Sequence, residues 1–258
     1  MNIYLISNAY NIGGGERNLI DLANELKSRK CRVLVLLPRV GDFSKKLKSN
    51  NIEYYVYGDN IPFERRWMNA VPLFIDIIPL YRIATRCCTD KPDLIYCNTA
   101  TVLPLGYMLS VYYKCKICWI CHGPWEIPGK IKSFVIDRMV DYTNVITPAL
   151  YKDLFCKTKK LVPLGIRDRV VKYNNTTTRR KIICVGRFEY IKGQDLLVDA
   201  FYEMKNSAAC ELHFFGGIIS KKQKDIHFFQ TVKKMVSSYG MDERVYFHGY
   251  KDNVRSCS

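Results

Sequence analysis

The sequence predicts an α/β protein of parallel sheets with helical crossovers, laid out as two successive units. Short apolar runs alternate with longer stretches able to form helices, which is how a parallel sheet with crossovers reads. A polar, threonine-rich stretch at 172–180 separates a first set of alternations from a second. Near the start of each set stands a strand, a glycine-containing turn and a helix.

In the first set the expected strands are 3–7, 33–37, 94–97, 117–121 and 145–147. Segment 16–28 places Leu19, Ile20, Leu22, Ala23 and Leu26 at helical spacing and leaves Asp21, Asn24, Glu25 and Lys27 for solvent, so it predicts a helix. Cys115, Cys118 and Cys121 are spaced like half of a metal site. Their segment is nevertheless short, apolar and followed by a Gly-Pro turn, so it reads as an interior strand whose thiols pack as small hydrophobes. The second set predicts strands at 181–185, 211–215 and 245–248 and helices at 194–204 and 226–238. The expected domains are therefore 1–171 and 181–258, joined by the linker 172–180. Three strands are few for a doubly wound domain, and the second unit is expected to be incomplete.

The 258 residues are 48% hydrophobic and 25% charged, a composition that excludes disordered and fibrous classes. Forty Lys and Arg face 24 Asp and Glu, a net charge of +16 that favours anionic partners. The excess is spread through both units, and no helix-turn-helix, zinc-finger or aromatic RNA-binding signature accompanies it, so nucleic acid is not the expected partner. Eleven cysteines at irregular spacing, with no secretory signal, point to a reducing cytoplasm. No run of 18 apolar residues could span a bilayer. Apolar segment 71–81, broken by Pro72, Asp76 and Pro79, is flanked by Arg65, Arg66, Trp67, Arg82 and Arg86. That interleaving suits an anionic membrane surface, hence peripheral association with the inner face of a membrane, and equally an ordinary buried helix with charged ends.

Two turns carry the charge chemistry. The loop 8–17 holds Gly13, Gly14 and Gly15 ahead of a helix, where backbone N–H groups and the macrodipole favour an anion. It is not a dinucleotide fingerprint, because Asn18 stands at the third glycine position and the second strand ends in Leu36-Leu37-Pro38 without an acidic residue. A nicotinamide-dependent dehydrogenase is thereby disfavoured. In the second unit Arg187 and Lys192 flank a strand-to-helix turn, where together they could clamp a diphosphate.

The ordered motifs around GGGER, Pro92-Asp93-Leu94-Ile95-Tyr96-Cys97-Asn98, Cys121-His122-Gly123, Val162-Pro163-Leu164-Gly165-Ile166, VGRFEYIKGQDLL, Leu212-His213-Phe214-Phe215-Gly216-Gly217 and Val245-Tyr246-Phe247-His248-Gly249-Tyr250 together resemble glycosyltransferase family 4. The resemblance covers the chain from Asn2 to about Tyr250. It implies a GT-B architecture of two Rossmann-like domains, a nucleotide-sugar donor, sugar transfer to a lipid-linked or other glycan acceptor with retention of configuration, and no metal or other cofactor. It also implies that Arg187 and Lys192 neutralise the donor diphosphate and that Gly13 and Gly14 belong to the loop over phosphates and acceptor. His122 matches the active-site histidine beside the donor sugar, expected to hydrogen-bond to the sugar or the developing charge; the alternative is a plain strand-end cap. Glu126, Gly216 and His248 are further candidates for acceptor or nucleotide contacts. The family's C-terminal pair of glutamates, and its final helix, have no counterpart in the sequence. The alternative expectation is therefore a truncated, catalytically silent chain, or a subunit completed by another chain.

Overall fold

The computed structural model describes residues 1–58, 90–127, 129–165, 180–204, 209–218 and 223–251. The basic, apolar stretch 65–86 and the linker residues 172–179 lie outside them. The chain divides into two compact units, Met1–Asp168 and Arg169–Ser258.

The first unit is a parallel sheet of seven described strands: β1 (Asn2–Ile6), β2 (Arg32–Leu37), β3 (Glu53–Val56), β4 (Leu94–Cys97), β5 (Lys116–Cys121), β6 (Tyr142–Val145) and β7 (Lys159–Leu161). Their order is β3-β2-β1-β4-β5-β6-β7, so the winding reverses between β1 and β4. In open α/β sheets ligands bind outside the carboxyl ends of the strands at such a reversal. Five described helices accompany the sheet: α1 (Gly14–Ser28), α2 (Asp42–Ser49), α3 (Leu103–Tyr113), α4 (Lys130–Met139) and α5 (Pro148–Asp153).

Both faces of this sheet are covered. Ile3, Leu5, Val33, Val35 and Leu37 pack with Leu19, Ile20 and Ala23 of α1 and Phe43 and Leu47 of α2. The alternate residues Tyr4, Ile6, Ile95, Ile117 and Trp119 pack with Leu103, Leu105 and Leu109 of α3 and Ile136 of α4. Burial on both sides is why these strands read as unbroken apolar runs. Gly106 brings α3 close to the sheet, since a Cβ there would lie 2.3 Å from the Cys97 sulfur. Cys118 joins one core layer and Cys121 the other, so the two thiols point to opposite faces of β5 and share no ligand geometry.

The expected strand at 145–147 is displaced to β6. Thr147 has left the sheet to cap α5, its Oγ1 accepting the Leu150 N–H at 3.3 Å, with Pro148 starting the helix. Strands β3 and β7 were not expected from the sequence. Both are short edge strands, and two of the three residues of β7 are lysines, which suits an edge.

The second unit holds β8 (Arg180–Val185), α6 (Gln194–Glu203), β9 (Cys210–Phe215), α7 (Gln223–Ser238) and β10 (Val245–Phe247), its described strands being parallel in the order β10-β9-β8. Arg180, assigned above to the linker, already belongs to β8. Phe188, Val198, Phe201, Leu212, Phe214, Val232, Val236 and Val245 form its core. No described helix of either unit is long and apolar enough to cross a membrane.

Candidate active site

At the reversal point of the first sheet, β1, β4 and β5 deliver three polar side chains just past their last residues. Ser7 follows β1, Asn98 follows β4 and His122 follows β5. The strands themselves hold these positions: Asn98 N–H donates to the Ile6 carbonyl at 2.9 Å, extending the β1–β4 ladder by one residue. Above them α1 begins at Gly14. The Gly13 N–H donates to the Glu16 carboxylate at 2.9 Å, which caps the helix from within and leaves the Gly14 and Gly15 amides at its mouth. A Cβ on Gly15 would lie 3.6 Å from Asn98 Nδ2 and 3.7 Å from His122 Nε2, so the first turn of α1 sits directly over this pair.

His122 Nε2 lies 3.0 Å from Asn98 Oδ1. Burial holds the imidazole pKa below its ordinary value, which keeps the ring uncharged at neutral pH. The His122 backbone N–H donates to Glu126 Oε2 at 2.7 Å, across the single helical turn Pro124–Glu126. Glu126 Oε1 also accepts from Ala100 N–H at 3.4 Å, tying the loop after β5 to the loop after β4. Burial is the largest influence on this carboxyl and pushes its pKa up to about 7, against the two backbone donors. Asn98 is 1% exposed, and its Nδ2 has no hydrogen-bond partner.

In the second unit the turn after β8 carries Arg187 and Lys192 on exposed positions. Arg187 Nη1 lies 3.1 Å from Glu189 Oε1, an ion pair open to solvent that aligns the guanidinium at modest strength. Lys192 ends the short turn Tyr190–Lys192, immediately ahead of α6. Gln194, 1% exposed, donates from Nε2 to the Arg187 carbonyl at 2.7 Å and so fixes the backbone from which Arg187 projects. Gly216 follows β9 with φ +145°, and a Cβ there would lie 1.9 Å from the Gly186 carbonyl oxygen. Its role visible in this unit is to let the β8 and β9 ends approach each other. His248 Nε2 lies 2.8 Å from His213 Nδ1, and His213 Nε2 in turn 3.2 Å from Glu211. The His248 ring is thus committed to a stack with His213 and Phe215 on the sheet.

A family model described as Glycosyltransferase Family 4 matches residues 12–160, and one described as Glycosyl transferases group 1 matches 166–257. The chain belongs to glycosyltransferase family 4. It is similar to alpha-1,3/1,6-mannosyltransferase ALG2 of Homo sapiens, 22% identical over 275 residues that cover 92% of this chain and 66% of that protein. The ALG2 of Eremothecium gossypii is 21% identical over 274 residues, covering 90% and 52%. The chain thus spans about two thirds of one curated relative and about half of the other. Anabaena HepE, solved in complex with UDP, superposes with a TM-score of 0.76 at 18% identity, over 100% of this chain and 71% of that one. The likeness shows the GT-B fold, and the parallel α/β sheets of both units agree with it.

Within this family 4 chain, the residues singled out from sequence fall into two groups. His122, Glu126 and the Gly13–Gly14 loop gather at the reversal point of the first unit; Arg187, Lys192, Gly216 and His248 lie on the carboxyl side of the second sheet's strands. Asn98, Glu189 and Gln194 were not singled out. Asn98 had a usable signal, a polar residue one step past the apolar run 94–97 that was expected to be a strand. Gln194 had none, because its partner is a backbone carbonyl seven residues away.

Proposed function

We propose that this chain transfers a sugar from a nucleoside-diphosphate sugar to a hydroxyl of a lipid-linked or other glycan acceptor, with retention of configuration at the anomeric carbon. The carrying observation is the half-buried Asn98–His122–Glu126 cluster beneath a glycine-rich helix N-terminus, in a chain of glycosyltransferase family 4. In such a transfer the bond from the anomeric carbon to the diphosphate oxygen breaks with its electron pair leaving on the diphosphate. The acceptor hydroxyl supplies the new oxygen and releases its proton. The demand on the protein is positive charge and directed donors where the diphosphate charge grows.

Arg187 and Lys192 supply that charge, and a resident metal or redox cofactor is not part of the proposal. The Gly14 and Gly15 amides at the start of α1 offer further donors to a phosphate or an acceptor oxygen. His122, uncharged, serves as a hydrogen-bonding partner for a sugar hydroxyl, and Glu126 holds its backbone in place. Gly216 serves by shaping the turn beneath Arg187, and His248 by buttressing the sheet near a bound nucleotide. The UDP held by HepE makes UDP-sugars the first donors to test, with GDP-sugars second. The net charge of +16 fits action at an anionic membrane surface on the cytoplasmic side, where a lipid-linked acceptor would be presented.

The test is thermal unfolding of the chain with UDP, GDP and their sugars, alongside Arg187→Ala. A melting temperature that climbs with nucleotide concentration, by the equivalent of about 2.7 kcal/mol at 100 times Kd, is expected for the unaltered chain. In Arg187→Ala the apparent Kd should rise by roughly tenfold or more. A folded chain indifferent to every nucleotide would sink the proposal. Anomeric configuration of the product, read by NMR, tests retention.

A further inference from the structure

Asn98 is buried with half of its amide unused. Its carboxamide is 1% exposed, Oδ1 faces His122 Nε2 at 3.0 Å, and Nδ2 lies beneath Gly15 with no partner. A buried amide NH2 without a partner is a standing cost, and the cost persists where the other end of the amide is needed. The end in use is the carbonyl, which can only accept.

We propose that Asn98 is a positioning residue that fixes the ring proton of His122 on Nε2, so that Nδ1 is left with a bare lone pair. An acceptor 3.0 Å from Nε2 is satisfied only if that nitrogen carries hydrogen. Because burial keeps the ring neutral, it has a single ring proton, and placing it on Nε2 leaves Nδ1 without one. His122 is thereby restricted to one kind of ligand contact: it accepts from a hydroxyl and does not donate to a phosphate oxygen. The Glu126 carboxylate, bonded to the backbone N–H and not to the ring, sets where the residue sits, whereas Asn98 sets which nitrogen is protonated. The hydroxyl-accepting role rests on the sugar-transfer reading given above; the tautomer does not.

The experiment is long-range proton–nitrogen NMR of the uniformly nitrogen-15-labelled full chain at pH 7.5, without ligand. The sequence contains 4 histidines, and the His122 signals are those lost in His122→Gln. The expected pattern is a protonated Nε2 and an unprotonated Nδ1. In Asn98→Ala the two nitrogen shifts should move toward each other as the tautomers mix. In Asn98→Asp, where a carboxylate takes the place of the amide, the ring should stay Nε2-protonated and titrate at higher pH than in the unaltered chain. If sugar transfer is observed, Asn98→Ala should lower kcat by roughly tenfold or more with a smaller change in KM. Protonation of Nδ1 in the unaltered chain, with the Asn98 amide NH2 donating to a bare Nε2, overturns the proposal. So does a His122 spectrum and titration unchanged in both variants. If Asn98→Ala fails to fold, the unaltered chain and Asn98→Asp still decide. A chain with the expected tautomer but no response to any nucleotide would refute the sugar-transfer reading and leave this one standing.

Discussion

Glu126 is the residue whose burial has the most direct thermodynamic consequence. Its pKa is pushed from 4.5 to about 7 by desolvation. Between those values the folded chain holds a proton that the unfolded chain has released, so stability falls as pH rises through this window. The full effect, about 3 kcal/mol for a displacement of this size, is present above pH 7. Glu126→Gln keeps an acceptor for the His122 N–H and removes the charge. Its stability relative to the unaltered chain should rise by about 1 to 3 kcal/mol from pH 5 to pH 8.5, read from urea midpoints; a constant difference across pH would contradict the burial argument. His122 has the opposite sign. With its folded pKa lowered below 6.5, the stability it contributes is present above 6.5 and lost as pH falls through the folded value. His122 was legible in the sequence because it stands one step past an apolar strand, in a motif with its own glycine. Asn98 stands at the equivalent place, but its partner is 24 residues away, and only strand pairing brings the two together.

Turns between elements are where single atoms decide the second unit. Gly216 has φ +145° and no room for a methyl group against the Gly186 carbonyl oxygen. Gly216→Ala should therefore cost at least about 2 to 3 kcal/mol and reduce nucleotide-dependent thermal protection together with stability, because the turn it packs against carries Arg187. The first helix offers a milder case. Glu16 caps its own helix through the Gly13 N–H, and Glu16→Ala should cost about 0.5 to 2 kcal/mol in a urea titration. Elements with an unbroken apolar run were predictable: β1, β2, β4, β5 and β8 follow the sequence pattern. So did α1, whose Leu19, Ile20 and Ala23 are buried as their spacing requires. Strands β3 and β7 escaped because edge strands are stabilised by pairing on one side and carry polar or charged residues. The misplaced strand at 145–147 lost its end to a helix cap, a local hydrogen bond that outcompeted extended backbone.

On the scale of the molecule, each hydrophobic cluster among the described residues is drawn from a single unit. Two clusters fill the faces of the seven-stranded sheet, and a third, from Phe188 to Val245, fills the second unit. The first unit, expressed alone as Met1–Asp168, should unfold cooperatively in urea, because its sheet is covered by helices of its own segment. A broad, non-cooperative melt would show that its core is insufficient by itself. The net charge of +16 belongs to the same scale, and co-sedimentation with vesicles rich in anionic lipid should be strong at low salt and decline as salt screens it. Retention on neutral vesicles alone would remove the electrostatic argument.

What the sequence determined by itself was everything that travels with local pattern: parallel α/β architecture, a division into two units, the glycine loop, the Arg187–Lys192 turn and the position of His122 at a strand end. Periodicity and turn chemistry act over a few residues, so they can be read from a string. The tertiary structure alone decided which strand ends meet. Placing β4 between β1 and β5 set Asn98 against His122 and let Glu126 tie the two loops together. Burial then kept the imidazole neutral and raised the carboxyl, and burial is a property of the assembled sheet that no short stretch of sequence contains.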